Sequence, residues 1–375
     1  MATTRSLVLG LLVLVCCLAL LTEPATAGFN PSEFPNGFYF GSATSAFQTE
    51  GAANKSGRGP SVWDAFVHEY PERILDGQNA DVAVDFYNRY KIRAGINQEG
   101  VTFYNNLINE ALADYRDYAN FLFKTFGDRV RHWITLNEPW AYSAWGFDTG
   151  EFAPGRCSSW VRRACKAGDS ATEPYLVAHH LLLAHATAVK VYRENYKPTQ
   201  KGKIGFTLDS WWFEPYSNST KDLDATRRSI DFHFGWFMDP VTFGDYPRNM
   251  RDYVGDRLPK FTIEQSNLVK GSLDFLGLKT QAETPLALRE YGVNIKGFFA
   301  WTFMDNFEWS SGFTKRFGMT YIDYNRNLTR IPKDSSKWFS NKLLPKRETQ
   351  TQTETQTQTE NRWSRPLGFQ GYSSM

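Results

Sequence analysis

Short apolar runs alternate with amphipathic stretches along most of this chain, and that alternation restricts the fold more than any other feature. Phe38–Phe47, Val130–Leu136, Lys203–Leu208, Leu273–Leu278 and Ile295–Phe303 read as strands. Ala80–Lys91, Phe103–Leu112, Pro174–Tyr196, Thr226–Phe237 and Leu286–Tyr291 read as helices. Another helix follows from Tyr115, Tyr118, Ala119, Leu122, Phe123 and Phe126 at helical spacing, stopped by Gly127. Strands separated by helices pair through crossovers, which makes neighbouring strands parallel. The expectation is an α/β fold on a parallel sheet, with no internal repeat.

Charge excludes one class of partner. The 42 basic and 40 acidic residues leave +2, too little to draw in nucleic acid or another polyanion. Aromatic content is higher than usual, with 12 Trp, 18 Tyr and 29 Phe. Flat or partly apolar ligands such as sugars suit such a chain, but a core packed with large side chains accounts for the same count.

The first residues read as a leader. Arg5 precedes the apolar run Leu7–Leu21, and Ala25-Thr26-Ala27 supplies a small-x-small cleavage site. The run is shorter than the ~20 residues a membrane span needs. Residues 1–27 are therefore expected to be a secretory signal peptide, residues 28–344 a single domain, and residues 345–375 a disordered tail. The tail's Thr/Gln/Glu tract Thr349–Glu360 has no apolar residue to bury. A soluble protein of the secretory pathway, extracellular or vacuolar, fits the rest. Cys16 and Cys17 fall in the leader, whereas Cys157 and Cys165, eight positions apart, read as a disulfide closing a small loop. Asn54, Asn218 and Asn327 each begin an N-x-Ser/Thr sequon.

Chemistry centres on Glu138. The strand Val130–Leu136 runs straight into Asn137-Glu138-Pro139. Barrel enzymes set catalytic groups at the C-terminal ends of their strands. A glycosidase needs a carboxylic acid there to protonate a leaving oxygen. Taken alone, Glu138 reads first as an ordinary loop acid.

The surrounding sequence changes that reading. Thr135-Leu136-Asn137-Glu138-Pro139 resembles the acid/base signature of family 1 glycoside hydrolases. The likeness extends over Phe40–Gly51, Gly59-Pro60-Ser61-Val62-Trp63-Asp64, Cys157–Tyr175 and Trp236–Pro247. It closes with Gly297–Trp309 and Arg316-Phe317-Gly318, so it covers about Asn30 to Leu344. The spaced cysteines resemble the plant branch. The resemblance implies a (β/α)₈ barrel and a retaining β-glucosidase that needs no metal or cofactor. It makes Glu138 the acid/base, Gln48 and Asn137 sugar-contacting amides, Trp301 and Trp309 the sugar platform, Glu308 the carboxylate gripping glycone hydroxyls, and Phe317 part of the lining. For the two tryptophans, core packing is the competing reading. The family's thioglucosidases carry Gln at the acid/base position, so Glu138 points to O-glycosides. His179, His180, His185 and His233 have no metal-type partners nearby in sequence and read as packed or exposed helix residues.

Three family blocks have no counterpart. Tyr90-Lys91 runs almost at once into Gly95–Gly100, where the family has an Arg-Phe-Ser-Ile-Ser-Trp type strand. Ala113 meets Asp114 where a Phe-His-Trp-Asp strand belongs. Leu278 passes into Lys279-Thr280-Gln281-Ala282-Glu283 in place of the Asn-Tyr-Tyr element and of the Thr-Glu-Asn-Gly strand end that provides the nucleophile. Glu283 and Glu290 follow no apolar strand run and make poor substitutes. About three of eight strands are therefore expected to be missing, roughly five remaining, with exposed sheet edges and poor solubility. Flanking sequence stays intact, as it does when coding segments are omitted; a splice variant, a misjoined gene reading and a recent pseudogene all leave that trace. The competing functional reading is an inactive protein that still binds glycosides.

Overall fold

The computed structural model describes residues 34–89, 101–102, 111–279 and 294–343, apart from positions 36, 56 and 58. The leader 1–27, most of the expected helix 103–112, the helix 286–291, the tail 345–375, Gly95–Gly100, Glu283 and Glu290 lie outside the described residues.

Six strands are parallel: β1 (Tyr39–Ala43), β2 (Val101–Thr102), β3 (His132–Asn137), β4 (Lys203–Asp209), β5 (Phe275–Lys279) and β6 (Gly297–Trp301). That is one more than expected, and the addition, β2, is only two residues long. They form two sheets, one in the order β2-β3-β4-β5 and one pairing β1 with β6. An antiparallel hairpin of β7 (Thr320–Asp323) and β8 (Thr329–Pro332) completes the described strands.

The two parallel sheets face one interior. At the N-terminal ends of the strands, the His132 ring lies 5.5 Å from Tyr39 of β1 and 5.8 Å from Phe275 of β5, edge-on to each. At the C-terminal ends, Lys279 of β5 approaches both Glu138 after β3 and Trp301 of β6. Strands that converge at both ends with one polarity are arcs of a single (β/α)₈-type barrel, and this one is incomplete. Pairing explains the unequal burial. Central β4 (Lys-Ile-Gly-Phe-Thr-Leu-Asp) is buried from Gly202 through Thr207 and Leu208, except for Lys203, because neighbours cover both faces. In the two-stranded sheet, Phe298 and Phe299 are 42% and 57% exposed, with no further strand paired beside them among the described residues.

The densest packing lies outside the β3–β4 ladder. Helix Glu173–Asn195 starts with Pro174 in its first turn, where the missing N–H costs nothing. It buries Leu182, Val189 and Tyr192 against Phe123 of helix Ala111–Phe126 and Trp133 of β3. Gly205 lets β4 and β5 pair closely, since a Cβ there would stand 2.0 Å from the Phe275 carbonyl oxygen.

Several local expectations are corrected. The strand expected over 38–47 ends at Ala43, and Gln48 lies in a helical turn, Ala46–Thr49. Its side chain bonds to residues far away in sequence, and those contacts override the local alternation. Among the described residues of the expected helix 80–91, Phe86–Arg89 alone is helical, because Ala83 and Asp85 take positive φ. The helix expected over 226–237 begins at Thr220, capped by the Ser219 side chain, and passes through a π-helical turn at Asp231–Gly235. It continues through Pro240 to Phe243, ending at Gly244 with φ +89°. Among the described residues no helix is long and apolar enough to cross a membrane.

The buried histidines make the fold acid-sensitive. His185 meets the Thr135 hydroxyl at 2.6 Å and His179 the Tyr246 hydroxyl at 2.8 Å. Burial pushes His185 down to about 3 and His179 down to about 4 from 6.5. Native histidine thus binds fewer protons than unfolded histidine between those values. Stability is complete above pH 6.5 and falls as pH drops toward 4, with a slope approaching about 1.4 kcal/mol per pH unit for each histidine. Urea unfolding at pH 7, 6 and 5 is expected to show that loss. His179→Gln should flatten it, and an unchanged slope would contradict the assignment.

Candidate active site

Glu138 is aimed by backbone geometry. Its N–H donates to the Thr207 carbonyl at 2.9 Å, the last tie between β3 and β4. The residue then takes a left-handed conformation (φ 50°, ψ 55°), and Pro139 opens helix Pro139–Phe147. A left-handed non-glycine costs of order 1–3 kcal/mol and is characteristic of functional turns. Asn137 precedes it at the end of β3, opposite Thr207, after a register shift from Ile134.

Three further side chains converge there. Lys279, the last residue of β5, places Nζ 2.8 Å from Glu138 Oε1. The same ammonium lies 5.2 Å from the centre of the Trp301 ring. Trp301 Nε1 in turn donates to Glu308 Oε2 at 3.3 Å. Burial raises the Glu308 carboxyl above the usual range; the Trp301 N–H and the Lys279 charge lower it, and the Glu138 charge raises it. Glu138, Lys279, Trp301 and Glu308 therefore form one cluster contributed by the ends of β3, β5 and β6.

Gln48 forms the wall behind Glu308. It is fully buried, and its Nε2 donates to the Phe307 carbonyl at 2.7 Å and to Asn306 Oδ1 at 3.2 Å. Its Oε1 is buried without a hydrogen-bond donor among the described residues. Trp309 follows Glu308 at φ 47° and lies in an aromatic cluster, parallel to Phe47 and 4.7 Å from Trp63. For Trp309, packing is thus the observed environment. Phe317 is 56% exposed, and its carbonyl accepts the Thr302 N–H beside Trp301 at 3.4 Å.

Around Trp140, two residues past Glu138, stands a second group that was read in sequence only as a packed or exposed helix histidine. His233, from the π-helical turn, meets Asp209 at the end of β4 at 2.9 Å. Trp140 lies 4.2 Å from the His233 ring, and Trp211 lies 6.0 Å from Trp140. Trp212 projects into solvent at 79% exposure. Lys279 was also missed. Its signal was the one that singled out Glu138, a charged residue at the end of an apolar strand.

Cys157 and Cys165 are bonded, with Cα atoms 5.5 Å apart. Asn54, Asn218 and Asn327 are exposed, and Asn327 Oδ1 accepts from Arg89 at 2.9 Å. Among the described residues no three His, Cys, Asp or Glu side chains are grouped to hold a metal ion.

A carboxyl group, an indole face and a half-enclosed second carboxylate suit a polyhydroxylated ring. The aromatic face packs on its apolar side, and charged acceptors bind its hydroxyls strongly. Comparison with known proteins agrees with that chemistry. The profile described as Glycosyl hydrolase family 1 matches residues 30–94, 109–284 and 281–348. The furostanol glycoside 26-O-β-glucosidase of Hellenia speciosa is 39% identical over 475 positions, covering 84% of each chain. β-Glucosidase 12 of Oryza sativa subsp. indica is 37% identical over 509 positions, covering 92% of this chain and all of the relative. Both alignments are longer than the 375-residue chain, so both relatives carry segments it lacks. The profile breaks near two of the three expected junctions, after residue 94 and at 281–284, whereas the junction at Ala113 falls inside its second match. Among solved structures, a rice β-glucosidase superposes with a TM-score of 0.78 at 32% identity, over 85% of this chain and all of the other. A β-glucosidase of the fungus Humicola insolens in complex with glucose gives 0.74 at 30%, over 82% and 98%.

Proposed function

Because this chain belongs to glycosyl hydrolase family 1, we propose that its pocket is that of a retaining β-glucosidase, with Glu138 as acid/base. The observation that carries this reading is the convergence of Glu138, Trp301 and Glu308 at one mouth from separate strand ends. In this reading the glucose ring lies on Trp301, Glu308 accepts from its hydroxyls, and Gln48 and Asn137 contact the glycone. Glu138 then faces the glycosidic oxygen, and Trp140, Trp211 and Trp212 form an apolar wall for the aglycone. The exposed sequons and the disulfide support a secretory-pathway protein.

Turnover needs a second carboxylate about 5–5.5 Å from the acid. The strand end that supplies it in the family has no counterpart here. As written, then, the chain binds β-glucosides and does not complete hydrolysis.

Binding is tested by calorimetric titration with methyl β-glucoside. Hydrogen bonds to a charged group contribute about 1.5–3 kcal/mol, so Glu308→Ala should weaken binding by about 10- to 100-fold. Unaltered affinity, or no saturable binding to the unsubstituted chain, would sink the proposal.

A further inference from the structure

We propose that Lys279 is a tethered plug in the glycoside pocket, and that a sugar binds only by displacing its ammonium group. This rests on the reading of the pocket as a glycoside site and goes beyond it, since no role in hydrolysis requires a lysine there.

The geometry places Nζ where ligand should sit. It is 2.8 Å from Glu138 Oε1, on the carboxyl that would otherwise face the glycosidic oxygen. It is also 5.2 Å from the centre of the Trp301 ring, within the range of a cation–π contact and on the surface a sugar ring would cover. Its charge reaches Glu308 too, where it opposes the effect of burial. One side chain thus engages the acid, the platform and the hydroxyl acceptor together. A neutral glucoside that takes the platform must break the ion pair and leave two carboxylates near each other without their cation.

Among the described residues, no buried contact locks the plug in place. The Lys279 side chain is 41% exposed, and its backbone is held in the last pairing of β5, Asp209↔Lys279. It can swing to solvent with its backbone unmoved. Partly exposed ion pairs and single cation–π contacts are each modest, and together they set a barrier to binding of about tenfold. Because an ion pair contributes part of that barrier, salt lowers it.

Calorimetry with methyl β-glucoside on the full chain, Lys279→Ala and Lys279→Arg is the test. The expected result is about tenfold tighter binding to Lys279→Ala, a gap that narrows in 1 M NaCl, and unchanged affinity for Lys279→Arg. A parallel readout is labelling of Lys279 by an amine-acylating reagent, with exposed Lys201 as internal reference. Labelling should speed up in Glu138→Gln and also when saturating glucoside expels the side chain. Equal affinity in Lys279→Ala and the unsubstituted chain, or protection of Lys279 by bound glucoside, overturns the plug and leaves the glycoside reading standing. Absence of binding in all three proteins overturns the glycoside reading itself and the plug with it.

Discussion

Asp305→Ala is expected to lower unfolding stability by about 3–5 kcal/mol, the usual effect of removing one partner from a buried charge pair. Asp305 is completely buried just past β6. Its carboxylate receives Lys333 Nζ at 2.8 Å, the Gly318 N–H at 2.9 Å and the Ile322 N–H at 3.4 Å, with Arg316 at 3.7 Å. These bonds tie the segment after β6 to the hairpin β7–β8 and so hold the turn that carries Asn306, Phe307 and Glu308. Removing the carboxylate strands one lysine charge and two backbone donors. Lys333 has a partial escape, because it also donates to the Arg316 carbonyl at 2.8 Å and is 28% exposed. The donors of Gly318 and Ile322 do not. Domains are stable by only about 5–15 kcal/mol, so the loss should appear as a large drop in urea midpoint. A change under about 1 kcal/mol would mean that this network is not what fixes the Glu308 turn.

The second large effect concerns turnover. Inserting the family segments expected at the three junctions, taken from a rice relative, is expected to raise hydrolysis of an aryl β-glucoside by about 10⁶-fold. Losing the nucleophile of a covalent enzyme elsewhere costs on that order, and the other catalytic groups cannot compensate alone. Restoration should act on the fold as well. Added strands are expected to cover Phe298 and Phe299 and to close exposed sheet edges. If the restored protein folds cooperatively and is no more active, then the missing nucleophile is not what stops turnover.

Much of this fold was legible because a parallel α/β chain repeats its signals. β3, β4 and β5 fall within two residues of the apolar runs that announced them. The place of Glu138 directly after β3 was legible because an apolar run leads straight into it. What escaped reading depends on contacts between segments distant in sequence. The helical turn of Gln48 is stabilised by Asn306 and Phe307, far along the chain. Lys279 shares with Glu138 the signal of a charge at a strand end, but only the convergence of β3, β5 and β6 brings it to Glu138 and Trp301. The pairing of His233 with Asp209 escaped for a different reason. The π-helical turn at Asp231–Gly235 breaks helical periodicity, and that break brings the ring to Asp209.

The central claim is that this chain keeps the acid/base and glycone half of a family 1 pocket without its nucleophile. It is tested most directly by incubating the purified, unmodified chain with 4-nitrophenyl β-glucoside and comparing it with Glu138→Gln. The expected result is no 4-nitrophenol release above that of Glu138→Gln. Release by the unmodified chain that disappears in Glu138→Gln would contradict the claim, because a second carboxylate would then be completing the reaction.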